Sequence, residues 1–258
     1  MISKLRPKFR ADELVFQQGL AESKEQARRL IMAGKVALEA PPGAAPLLVP
    51  KPGHPYRQDA RFALVGQERF VSRGAYKLLT ALERFPVSVV GAVCLDCGAS
   101  TGGFTDCLLQ HGAARVYAVD VGTAQLHEKL RADLRVISME GVNLRLAGPD
   151  LIPESLDIIV ADVSFISLTM ILPPVVGWLK PGGYVIGLIK PQFEAGLGQT
   201  RKGVVRDETV RARAVTKVLD ACADLGLESL GVEPAAIKGP KGNQEYLACW
   251  RLPDARAF

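Results

Sequence analysis

Histidine and cysteine are scarce in this sequence of 258 residues, which holds three of the first and five of the second. A structural zinc site needs four such ligands in close spacing. The single C-x-x-C, Cys94 and Cys97, ends an apolar strand-like run with no second Cys or His pair nearby. Cys94, Cys97, Cys107, Cys222 and Cys249 are therefore expected as buried free thiols, and no metal is expected. Long apolar runs are also missing. A membrane span needs roughly 18–20 apolar residues, and the best candidate, residues 160–171, is broken by Asp162 and serines. The opening MISKLRPKFR is basic but has no apolar core of the kind a secretion signal needs. The expected address is the cytoplasm, away from membranes. There is no internal repeat and no low-complexity segment.

What is present fits one α/β domain plus a small module. The chain is 48% hydrophobic and 23% charged, with a net charge of +5. The excess is unevenly placed. Residues 1–70 hold 12 Lys/Arg against 7 Asp/Glu, whereas residues 71–258 hold 20 of each. A small basic module on a neutral body suggests that the module meets a polyanion; a merely solvated face is the equal alternative.

Residues 10–40 read as two helices and a strand. Leu14 and Val15 mark the first helix, over about 11–18, which stops at Gly19. Ser23 and Gln26 form a capping box for the second. Ala27, Leu30 and Ile31 make its apolar stripe, and Lys24, Arg28 and Arg29 point away from it. Gly34 ends the helix before a strand at 35–39. Residues 41–55, with six prolines, read as loop or irregular strand. The segment GLAESKEQARRLIMAGKVAL resembles the core of the S4-type RNA-binding domain, although its opening, Arg10-Ala11-Asp12-Glu13-Leu14, departs from the usual spacing. The resemblance implies an α+β module over 1–63 that sets Lys24, Arg28, Arg29 and Lys35 against phosphates; an ordinary helical hairpin is the alternative. A linker over 64–73 would follow, with Arg73 as a further RNA contact, and then a second domain over 74–258.

From residue 64 onward strands and helices alternate. Strands are expected at 92–97, 115–120, 134–139, 156–161, 183–189, 228–234 and 245–251, and helices at 74–84, 103–111 and 208–225 among others. Such alternation means a mostly parallel sheet covered on both faces. Seven strands ending in an antiparallel pair is the Rossmann-like arrangement of methyltransferases.

The first of these strands leads into LDCGASTGGFTDCLL. Asp96 stands at its carboxyl end, followed by the loop Gly98-Ala99-Ser100-Thr101-Gly102-Gly103 and a helix from Phe104. A dinucleotide site would carry G-x-G-x-x-G facing a pyrophosphate. Here the loop is G-x-x-x-G-G after an acid, which suits a ligand bearing positive charge, such as the ammonium and sulfonium of S-adenosylmethionine. Asp120 ends the next strand, with Val121 beside it, where an acid accepts ribose hydroxyls. Glu140 ends the third, near where an adenine edge would lie. Each acid alone could be a cap or a surface charge; three on successive strand ends favour a nucleoside cofactor.

Four further polar residues fall where this fold brings segments together: Lys77 in SRGAYKL, Asp162 in DIIVADVSFIS, Lys190 in GLIKPQFE and Glu245 in GNQEYLACW. A hydroxyl is a poor nucleophile, so its proton must be lost or delocalised as it attacks a methyl group. Lys190 is the best candidate for the base, and Asp162 also borders the cofactor. The safer expectation is that the four orient the hydroxyl and stabilise the developing oxyanion. After the fourth strand the chain reads Asp162-Val163-Ser164-Phe165 rather than N/D-P-P-Y/F, which argues against base amines as acceptors. The order Lys–Asp–Lys–Glu is similar to the tetrad of FtsJ-related ribose 2′-O-methyltransferases.

With VDVGTAQLHEKLR, ADVSFISL, KPQFE and GNQEYL added, the chain resembles the TlyA family, also called hemolysin A, over nearly its full length. That resemblance implies an S4-type domain joined to an FtsJ-like domain, methylating cytidine 2′-oxygens of 23S rRNA and in some members 16S rRNA. It makes Lys77, Asp162, Lys190 and Glu245 catalytic. It places Asp96, Gly98, Ala99, Ser100, Gly102, Gly103, Phe104, Asp120, Val121, Glu140 and Asp162 around S-adenosylmethionine, with Cys97 in a loop position where a variant residue could alter cofactor contacts. The short stretch after the last strand favours 23S. A pore-forming hemolysin, a non-catalytic RNA-binding protein and a methyltransferase of another RNA such as tRNA are the rivals.

Overall fold

In the computed structural model, residues 7–39, 47–65, 69–196, 198–235 and 237–254 are described. Part of the expected 41–55 loop and of the 64–73 linker lies outside them. The chain divides into two units after residue 69.

The first unit contains β1 (Lys8–Arg10), α1 (Ala11–Gln17), α2 (Lys24–Met32), β2 (Val36–Leu38), β3 (Leu47–Leu48), β4 (Pro55–Arg57) and β5 (Phe62–Leu64). β3, β2 and β5 form one antiparallel sheet, and β1 pairs with β4. Ser23 caps α2 by accepting from the Gln26 N–H at 3.1 Å. The Gln26 side chain returns a bond to the Glu22 N–H, one residue earlier than a capping box would have it. Leu14, Val15, Ala27, Ile31, Val36 and Phe62 close a small core. Beside it Asp12 is almost fully buried and bound by Arg10 (2.7 Å) and Arg28 (2.8 Å).

The second unit begins with residues expected to be linker. Phe70 is only 1% exposed, and the Val71 N–H donates to Asp106 at 2.9 Å. Then follow α3 (Ala75–Arg84), β6 (Val93–Cys97), α4 (Gly103–Gln110), β7 (Arg115–Asp120), α5 (Glu128–Arg131), β8 (Val136–Glu140), β9 (Leu156–Ala161), α6 (Leu168–Val176), β10 (Leu179–Ile189), α7 (Pro191–Glu194), α8 (Glu208–Asp224), β11 (Glu228–Pro234) and β12 (Tyr246–Arg251). The seven strands lie in the order β11-β12-β10-β9-β6-β7-β8, with β12 running antiparallel to both β11 and β10 and the remaining pairs parallel.

The central strands are near-continuous apolar runs because both of their faces are covered. Side-chain alternation divides each strand between two cores. Cys94, Ile158, Val160, Ile186 and Leu188 pack with α3 and α4. Leu95, Cys97, Ile159, Ala161, Val185 and Ile189 pack with α6 and α8. All five cysteines are buried free thiols, and burial pushes Cys94, Cys222 and Cys249 up to about 12. Among the described residues no helix is long and apolar enough to cross a membrane.

The chain runs outward from β6 through β7 to β8, then returns to place β9 on β6's other side. The carboxyl ends of β6 and β9 are therefore the switch point at which open α/β sheets hold ligands.

Candidate active site

At that switch point lies a cleft of two lobes. The larger, about 520 Å³, is walled by Asp120, Val121, Gln125, Asn143 and the apolar side chains of Leu144 and Ile166, among others. The smaller, about 170 Å³, is walled by Ser72, Gly74, Ala99, Thr101, Gly103, Phe104 and Lys190. Gly98, Ser100, Asp162 and Ser164 line both lobes and form the wall between them.

The glycine loop takes this shape for local reasons. Gly98 has φ +82, and a Cβ there would come within 3.2 Å of the Asp162 carbonyl and the Val163 side chain. Ser100 is also left-handed, with φ +49, a conformation that costs a non-glycine residue about 1–3 kcal/mol. Its N–H donates to Asp120 at 2.8 Å, while the other Asp120 oxygen accepts from the Gly122 N–H at 2.8 Å. An ionised carboxylate has about four acceptor sites, so Asp120 keeps capacity for hydroxyl donors within the larger lobe.

Three residues expected at the cofactor have partners in the scaffold instead. Asp96 is fully buried and accepts from Thr105 at 2.7 Å, joining β6 to α4; its other oxygen has no partner. Burial pushes its carboxyl up to about 7, opposed by the Thr105 hydrogen bond. Gly102, with φ +97, leaves room for neighbouring side chains: a Cβ would meet Leu130 at 2.2 Å and Leu126 at 2.8 Å. Glu140 accepts from the N–H groups of Leu126 (3.0 Å), Gln125 (2.6 Å) and Ala124 (3.0 Å), which hold its carboxyl below the usual range. It shapes the loop that carries Gln125. None of the three lines either lobe, because each is spent on the scaffold.

The four tetrad candidates come together as two ion pairs. Lys190 Nζ lies 2.6 Å from Asp162 Oδ1, an ion pair by distance whose angle is poor for a hydrogen bond, and donates to Ser164 Oγ at 2.9 Å. Both partners line the cleft. Lys77 Nζ lies 2.6 Å from Glu245 Oε2, with side chains 11% and 0% exposed. This second pair lines neither lobe. Gln192, two residues beyond Lys190, joins it to the β10–α7 turn by donating to Glu245 Oε1 at 3.3 Å.

Ser164 and Gln192 were not singled out from the sequence, and neither residue type carries a signal that would have found it. Phe165 carries no such signal either. It is 91% exposed with φ +66, lines the larger lobe, and has its ring 5.2 Å from that of Phe193.

On the first unit, Lys24 pairs with Glu13 at 2.8 Å and Arg28 with Asp12, so two of the four expected phosphate contacts are tied to α1. Arg10, and to a smaller extent Arg28, hold the Asp12 carboxyl down to about 2 against the opposing effect of burial. Arg29 and Lys35 are exposed, as is Arg73 on the second unit.

The FtsJ-like methyltransferase family model matches residues 70–252, and the S4 domain model matches residues 9–38. A 16S/23S rRNA (cytidine-2′-O)-methyltransferase TlyA of Mycobacterium tuberculosis is 44% identical over 252 residues, covering 96% of this chain and 92% of the relative. A protein named Hemolysin A from Brachyspira hyodysenteriae is 40% identical, covering 93% and 98%. The solved structure of a candidate hemolysin from Streptococcus thermophilus superposes with a TM-score of 0.71 at 43% identity, covering 97% of this chain and 90% of that one.

Proposed function

The chain belongs to the FtsJ-like methyltransferase family and carries an S4 domain ahead of it, and on that premise we propose that it methylates the ribose 2′-oxygen of a cytidine in ribosomal RNA, using S-adenosylmethionine in the cytoplasm. The observation that carries this reading is the pairing of Lys190, in the smaller lobe, with Asp162 on the wall between the two lobes of the cleft. A reacting hydroxyl on that wall is within reach of an ammonium while the larger lobe holds a nucleoside.

The cleft residues fit such a donor. Leu144, Val163, Ile166 and Ile171 give an apolar wall for a purine, and Asp120 gives a carboxylate for ribose hydroxyls. Gly98 and Ser100 line both lobes and Ala99 the smaller one, so this loop would border the ligand. When bound, S-adenosylmethionine supplies an electrophilic methyl group on sulfur. Lys190 has three N–H donors; Ser164 accepts from one, and Asp162 stands beside the ammonium as its counter-charge. A remaining N–H orients the acceptor hydroxyl and stabilises the charge that develops on its oxygen as the hydroxyl proton passes to solvent water. Lys77 and Glu245 act through Gln192, fixing the turn from which Lys190 projects.

Phe165 supports an RNA acceptor. A fully exposed aromatic ring beside a cleft offers a face on which an unstacked base can lie, which is how proteins commonly hold single-stranded RNA. Arg29 and Lys35 on the S4 unit would supply phosphate contacts that fix position without reading sequence.

The test is transfer of labelled methyl to 30S subunits, 50S subunits and free rRNA, with nuclease mapping of the product. Label in a 2′-O-methylcytidine of 23S or 16S RNA is expected. Label on a base, label in tRNA alone, or none at all would overturn the reading.

A further inference from the structure

Residues 71–258 carry equal numbers of acidic and basic side chains, yet their arrangement is far from even. The loop between α7 and α8 meets the loop between β11 and β12 in a groove of about 400 Å³. Its walls include Arg206, Arg211, Lys238, Lys241 and Gln244 and contain no carboxylate. Arg201 and Lys202 flank it: Lys241 Nζ donates to the Lys202 carbonyl at 3.3 Å. Among the described residues none of these six cations makes an ion pair. The nearest acids in sequence are Asp207, whose carboxylate caps α8 by accepting from the Thr209 N–H at 2.8 Å, and Glu208.

The groove is built rather than incidental. Asn243, 3% exposed, ties its two loops together, accepting from the Val205 N–H at 3.1 Å and donating to the carbonyls of Gly203 (2.9 Å) and Pro240 (3.1 Å). Arg211 braces the floor by donating to the Val205 (3.3 Å) and Arg206 (2.9 Å) carbonyls, and its buried Nε has no partner. Holding like charges together costs stability unless an anion offsets them. The groove's last wall residue, Gln244, precedes Glu245, which binds Lys77 and Gln192 beside the catalytic pair.

We propose that this groove holds the phosphodiester backbone of the RNA strand that carries the acceptor ribose, so that the methyltransferase unit grips RNA independently of the S4 unit. The inference rests on the RNA-acceptor reading above. The S4 unit fixes where on the RNA the protein sits, and the groove draws the strand toward Lys190. A solvated face with no ligand would be expected to intersperse acids among its bases, as α2 does through its partners Glu13 and Asp12.

The test uses the full chain with a short fluorescein-labelled single-stranded RNA, its anisotropy followed across a salt series. Each phosphate contact contributes about 0.7 to the slope of log K against log salt for single strands. The Arg206→Gln, Lys238→Gln, Lys241→Gln variant is expected to bind RNA at least roughly tenfold more weakly and to lose about 2 from that slope. Its S-adenosylhomocysteine affinity, read by calorimetry, should stay at the wild-type value. If the triple variant does not bind S-adenosylhomocysteine, the exposed single variant Lys241→Gln replaces it, with an expected slope loss of about 0.7. Wild-type affinity and slope in a variant that binds S-adenosylhomocysteine would overturn the groove while leaving the RNA reading intact. No RNA binding by the wild type would overturn both.

Discussion

Gln192 Nε2 lies 3.3 Å from Glu245 Oε1, so the two ion pairs of this site are joined through a side chain two residues beyond Lys190. One pair faces the cleft and the other is buried behind it. The two pairs should therefore respond to mutation in different ways.

Lys77→Ala leaves the carboxylate of Glu245, which has no exposure, without its cation. Breaking a buried pair by removing one partner costs about 3–5 kcal/mol. Denaturant unfolding should show a loss of that order in the second unit. Lys77→Met with Glu245→Gln should recover most of the stability, because neither replacement leaves a buried charge, while transfer stays low.

Phe165→Ala should lower kcat/KM for rRNA by about tenfold or more, the cost of one lost base–aromatic stack. Phe165→Tyr, which keeps a ring at the same left-handed position, should retain most of the activity. Equal losses in the two variants would show that the ring face is not what matters.

On the S4 unit, Arg28 is bound to the buried Asp12, and Arg29 makes no ion pair among the described residues. Arg29→Gln should reduce the salt slope of RNA binding by about 1 with unchanged thermal stability. Asp12→Asn should destabilise the unit, since it leaves Arg10 and Arg28 without their shared carboxylate.

Asp96 sets a pH dependence. Burial raises its carboxyl to about 7, so the folded protein holds that proton more tightly than the unfolded chain does. The stability it contributes is complete below the ordinary carboxylate range and is lost as pH rises toward about 7. Asp96→Asn, whose amide oxygen can still accept from Thr105, should flatten the fall in Tm across that range. An identical pH profile in the variant would assign the fall to other groups.

The sheet was legible because strands buried on both faces must be apolar almost throughout, and DIIVA or YVIGLI admits no other placement. The cleft was legible where a strand end and a glycine loop coincide, as at Gly98–Ser100 and Asp120. It was less legible where an acid serves the scaffold: Asp96 and Glu140 have the same sequence signature as a ligand-binding acid, but Asp96 is buried against Thr105 and Glu140 is bound by the 124–126 backbone. Phe165 sits between Ser164 and Ile166 in a string that reads as core, and only the left-handed turn brings its ring to solvent. The basic groove was hidden because a segment's net charge cannot show that loops some forty residues apart meet and bring bases of both together. The first 70 residues do carry the excess of positive charge, but Lys24 and Arg28 there are already paired.

If Lys190 acts on the acceptor rather than on the donor, its removal should slow transfer and spare donor binding. Single-turnover methyl transfer to rRNA by Lys190→Ala, measured beside S-adenosylhomocysteine binding by calorimetry, tests it directly. Transfer slowed by about 100-fold or more with donor affinity unchanged is expected. Transfer at the wild-type rate, or a loss explained wholly by failure to bind S-adenosylhomocysteine, would contradict it.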